Sequence, residues 1–91
     1  NILLETVPKG MNTEIISSEL YKEIPEITKI TDMHVWEITS GMYSFTAHLL
    51  TSTNDAKKLR EILEVINKLL YERHGIEHST IQFELTNVQK P

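Results

Sequence analysis

The chain has 91 residues and no cysteine. That absence removes a disulfide framework, a thiolate metal site and a cysteine nucleophile together, and it fits a reducing compartment. No apolar run approaches the ~20 residues that a membrane-spanning helix needs. Positive charge is scarce as well. Nine Lys and Arg residues stand against thirteen Asp and Glu, for a formal net charge of −4. The basic residues are scattered, without the clustering that grips phosphates, so nucleic acid is not an expected partner. There is no glycine-rich anion loop and no Ser-His-Asp arrangement, and Arg60 and Arg73 both fall on a predicted helix. Catalysis is therefore not expected. Internal repeats and low-complexity segments are absent too.

What is present suffices for one small domain, which buries only a modest share of its surface and would gain from a partner. The chain opens "NILLETVPKG", without an initiator Met, and reads as an excised piece of something longer. Residues 1–10 form a lead-in whose Ile2, Leu3 and Leu4 suit the end of a linker from a membrane domain, or apolar cover for a sheet edge. Residues 11–86 form the domain, and 87–91 a polar tail.

Asn12 is a good helix cap, with Glu14 in the first turn. Ile15, Ile16, Leu20 and Ile24 give a short apolar stripe, and Pro25 ends it. Ile27 to Ser40 is rich in Ile, Thr, Val and Trp with rough alternation, which predicts a strand with a bulge. Ser40–Gly41 is the turn, and Met42 to Thr51 the returning strand of a hairpin. Asn54 or Thr53 is the expected cap of a second helix, along which Leu59, Ile62, Leu63, Ile66, Leu69 and Leu70 recur with helical period. Gly75 suits the position just past its end. Ser79, Ile81, Phe83 and Leu85 alternate with His78, Thr80, Gln82 and Glu84, which predicts a third, half-buried strand. Helix, strand, strand, helix, strand is the order of a two-layer α+β sandwich in which two helices cover one face of a three-stranded sheet.

A two-residue turn at Ser40–Gly41 would set Trp36 opposite Phe45 and His34 opposite Ala47. His34, Trp36 and Ile38 would then share the covered face with Phe45. Thr31, Met33, Val35 and His48 would take the open one. A one-residue slip would instead pair His34 with His48 and put Trp36 among Ser44 and Thr46; in the first register His34 is a packed histidine at the core margin. His48 and Glu84 meet on the open face as an imidazole and a carboxylate, with His78 near one edge. Zinc accepts both ligand types, although two residues do not make a site.

"VPKGMN" (7–12), "ITDMHVWEITSG" (30–41), "AHLL" (47–50) and "HSTIQFE" (78–84) resemble, in that order and spacing, the cytoplasmic C-terminal domain of the cation diffusion facilitator family. These are proton-coupled antiporters of zinc and other divalent cations. The resemblance covers nearly the whole chain. It implies a ferredoxin-like, metallochaperone-like fold without that protein's cysteine pair. It also implies a homodimer, covalently continuous with a transmembrane domain, at the cytoplasmic face of a membrane. Metal would bind near the dimer interface and draw the two copies together. The resemblance makes His48 and Glu84 candidate ligands. Where many relatives carry a further histidine, this chain has Thr31, a poor zinc ligand. His34, His78 or Asp32 would then complete the site, with the second subunit as one source. Histidine and carboxylate suit Zn2+ and can also hold Co2+, Ni2+, Mn2+ or Fe2+. The competing expectation is a domain that pairs subunits without sensing metal.

Overall fold

The computed structural model describes residues 7–86. The lead-in expected at 1–10 lies mostly outside that range, as does the tail at 87–91. The elements follow the expected order: α1 (Thr13–Glu23), β1 (Ile27–Thr39), β2 (Met42–Thr51), α2 (Ala56–His74) and β3 (His78–Leu85). No helix among the described residues is long and apolar enough to cross a membrane.

Asn12 caps α1, its side-chain oxygen accepting from the backbone N–H groups of Glu14 and Ile15 at 3.0 and 3.1 Å. Ile16 and Leu20 are fully buried, but Ile15, expected in the same stripe, is 49% exposed. On α2 the inward face is Ile62, Ile66, Leu69 and Leu70. Its cap is Asp55 rather than Asn54 or Thr53: the Asp55 carboxylate accepts from the Lys58 N–H at 2.9 Å. The Thr53 hydroxyl accepts from the Asp55 N–H instead, which orients the approach to the helix. Gly75 ends α2 in the left-handed region at φ 68°, where a side chain would be strained.

The sheet order is β1-β2-β3, with β1 antiparallel and β3 parallel to β2. Both helices cover one face, α1 over β1 and α2 toward β3. Phe45 and Leu49 of the central strand and Val35 of β1 are buried beneath them, with Ile16, Ile66 and Leu70 facing back. The two-residue turn forms as expected, with Thr39 opposite Met42. The Glu37 carboxylate accepts from the Gly41 N–H at 2.9 Å and braces it.

Beyond the turn, β1 departs from the expected register. It is irregular at three places, and each offsets the pairing by one residue. The first lies at Ile38, so Phe45 faces Val35 rather than Trp36. Val35 is consequently 2% exposed, Trp36 37% and Ile38 53%. The expectation that His34, Trp36 and Ile38 line the covered face is overturned, because one residue of slip moves every side chain across the sheet. The second irregularity sets Asp32 and Met33 against Ala47 alone, with Asp32 at φ 52°. This bulge restores the phase, so Thr31 and His34 both project from the open face. By contrast β3 pairs with β2 without interruption from His78 to Leu85.

Candidate metal centre

The open face is built in rows. Thr31, His48 and Gln82 are aligned across the three strands. The next row toward the hairpin tip is His34, Thr46 and Thr80, and the one after it Trp36, Ser44 and His78. Glu84 lies two residues beyond Gln82 on the same side of β3. A shallow depression of about 270 Å³ opens among Asp32, His34, His48 and Gln82.

Nε2 of His48, which lines this depression, lies 2.9 Å from Oε1 of Glu84. The distance is that of an ion pair, without a hydrogen bond. The ring nitrogen, itself shielded from solvent, therefore has no hydrogen-bond partner. Its ring and the carboxylate are 26% and 60% exposed. A buried polar nitrogen left unpaired is costly. An imidazole nitrogen with an uncommitted position beside a carboxylate is the donor pair that a divalent cation takes. Zinc and other divalent cations accept both donor types.

The remaining sequence candidates fall differently. His34 moves from the core margin to the open face and lines the depression with Asp32 and His48. Asp32 reaches it because of the bulge. His78 is exposed at the far row, four residues and roughly 13 Å along β3 from Gln82. Within one chain it is not brought to His48. Among the described residues no three His, Asp or Glu side chains converge to hold an ion. Thr31 has its hydroxyl turned toward the carbonyl oxygen of His48, to which it donates at 3.4 Å.

Sequence reasoning missed the pairing of His74 with Glu19. Nε2 of His74 donates to Oε1 of Glu19 at 2.6 Å, and Arg73 joins Glu19 and Glu23 at 3.6 and 3.5 Å. The hydrogen bond from His74 does most to hold the Glu19 carboxyl below its usual value, with burial opposing and Arg73 assisting. His74 lies in the last turn of α2. Its helix-mate Arg73 and the acidic residues of α1 were the available signal.

A helix-strand-strand-helix-strand sandwich with one helix-covered face and one open face carrying paired imidazole and carboxylate defines a small α+β domain of the ferredoxin-like kind. The family model described as "Cation efflux protein, cytoplasmic domain" matches residues 8–86, and the chain belongs to that family. It is 37% identical over 84 residues to a probable zinc transporter protein of Dictyostelium discoideum, a match covering 91% of this chain and 15% of that protein. It is 36% identical over 94 residues to a calcium/manganese antiporter of Mus musculus, covering 98% of this chain and 18% of that protein. Among solved structures it is similar to the metal-bound C-terminal domain of the CzcD transporter from Cupriavidus metallidurans. That match has a TM-score of 0.71 and 29% identity, covering 82% of this chain and all of the other. The chain thus spans under a third of the length of the curated relatives it matches.

Proposed function

We propose that this domain regulates and dimerises a proton-coupled divalent-cation efflux transporter, zinc being the first metal to test, and that two copies close around cation held at His48 and Glu84. The observation that carries the reading is Nε2 of His48, shielded from solvent and without a hydrogen bond, beside the Glu84 carboxylate on the uncovered face of the sheet. Three relatives support it through their names, as a "probable zinc transporter", a calcium/manganese antiporter and a metal-bound transporter domain.

Each copy carries a formal charge of −4, so two copies repel. A bound cation supplies positive charge between them. His48 and Glu84 would hold it, and Asp32, His34 or His78 of either copy would add ligands as the faces approach. Only ligands reached in the closed dimer shift the open–closed balance, because equal affinity for both states shifts nothing. His48 must be neutral to bind, so affinity falls as pH drops below an imidazole's ordinary ~6.5.

A second reading rests on the absence of any convergent group of three His, Asp or Glu among the described residues: a dimerisation domain indifferent to metal. Calorimetric titration with zinc near neutral pH, with sedimentation to follow association, separates the two. Saturable binding that His48→Ala and Glu84→Ala weaken without unfolding the domain is the expected result. A dimer that forms equally with and without zinc, and binds none, establishes the second reading.

A further inference from the structure

The outer edge of β1 is closed by a side chain from the helix layer. β1 ends the sheet on one side, so part of its backbone N–H and C=O groups face away from β2. A row of such groups is a template on which another chain can add a strand. The N–H of Ile30 does not pair across the sheet. It donates to the phenol oxygen of Tyr21, on α1, at 2.8 Å. That oxygen stands where the carbonyl oxygen of an added strand would stand.

The rest of the edge supports the same reading. Ile30 is the middle residue of Lys29–Thr31, a run of three that pairs in step with Leu50, Leu49 and His48. An offset precedes this run, and the Asp32–Met33 bulge follows it. Beyond the bulge only His34–Glu37, four residues, pairs in step again. An incoming strand would therefore meet two short runs in place of one long one, with Tyr21 seated on the first. Lys29 is exposed within that run, and lysine on an edge discourages strand addition. The Tyr21 ring is not built into the core: the residue is 41% exposed. A depression of about 440 Å³ lies beside it, lined by Thr13, Ser17, Tyr21 and Met33, and gives the ring room to leave the edge.

We propose that Tyr21 is a latch on the free edge of β1: its hydroxyl occupies the Ile30 N–H and keeps a second copy of this chain from adding a strand there, so that copies meet through other surfaces. The latch needs no cation, and it holds or fails independently of the reading of His48 and Glu84.

The test uses the intact 91-residue chain with a chelator present, so that metal-driven association is silent. Tyr21→Phe keeps the ring and deletes the oxygen, and Tyr21→Ala removes both. In Tyr21→Phe the Ile30 amide should exchange with solvent about tenfold faster, as the loss of one ordinary hydrogen bond implies. Sedimentation should show both variants associating about tenfold or more tightly than the parent, with new amide protection along β1 as they do. An Ile30 amide that exchanges at the parent's rate in Tyr21→Phe overturns the latch. So does association no stronger than the parent's. New protection along β3, the other edge, in place of β1 puts the contact elsewhere and overturns it as well. Circular dichroism checks the fold, and if Tyr21→Ala unfolds, Tyr21→Phe carries both measurements.

Discussion

Thr31 and His34 project from the same face of β1 although they lie three positions apart, an odd interval that places side chains on opposite faces of a regular strand. The bulge at Asp32 and Met33 accounts for it, and Asp32 takes the left-handed conformation at φ 52°. Left-handed backbone costs an ordinary L-residue roughly 1–2 kcal/mol, less for Asp and Asn, and nothing for glycine. Asp32→Gly should therefore leave thermal stability unchanged or raise it slightly. Asp32→Val should lower it by about 1–2 kcal/mol, because a β-branched residue is least tolerant there. Denaturant unfolding of the two variants beside the parent checks this. Equal stabilities for Gly and Val would show that the bulge stores no backbone constraint.

Strand β1 is where the sequence stopped being legible. Element order, the hairpin turn and β3 with its alternation all follow from periodicity and turn residues, and these signals are local. The face assignment of β1 does not. It depends on three one-residue offsets, and a strand of Ile, Thr, Val and Trp accommodates either phase. Polar Asp32 in mid-strand was the one local hint, since Asp tolerates positive φ. Of the candidate site, His48 and Glu84 were legible because they lie on β2 and β3, which pair without offsets. His34 was misplaced because it lies on β1, beyond the offset at Ile38.

The α2 cap gives a prediction in which neighbouring residues exchange roles. Asp55 accepts the Lys58 N–H, and Asn54 is exposed and precedes it. Asp55→Ala should cost about 1 kcal/mol, while Asn54→Ala stays within about 0.5 kcal/mol of the parent. Chemical denaturation of both variants reads the difference. A larger loss at Asn54 would return the cap to the position expected from sequence.

The Glu19–His74 pair ties α1 to α2 and makes stability depend on pH. Glu19 is held below the ordinary 4.5 chiefly by the hydrogen bond from His74. A depressed carboxyl stabilises the fold above its unfolded value and loses that contribution as pH falls through the folded one. Glu19→Gln should thus cost roughly 0.5–1 kcal/mol at pH 6, and the difference from the parent should vanish in acid well below 4.5. Urea unfolding at several pH values tests it. A penalty that persists undiminished in strong acid would mean that Glu19 acts through packing.

Trp36 offers a direct view of the open face. It is the only tryptophan, it is 37% exposed, and it shares a row with Ser44 and His78, two rows from His48. If a second copy covers this face when cation binds, zinc should move the Trp36 emission to shorter wavelength as water leaves the indole. The shift should grow with protein concentration, since the cover is another molecule, and it should be absent in His48→Ala. Binding within a single chain would leave emission independent of concentration, because the Trp36 row lies away from the ion. A zinc-induced shift that His48→Ala retains would place the cation elsewhere on the sheet. Steady-state fluorescence across a dilution series, with zinc and with a chelator, distinguishes these results in one experiment.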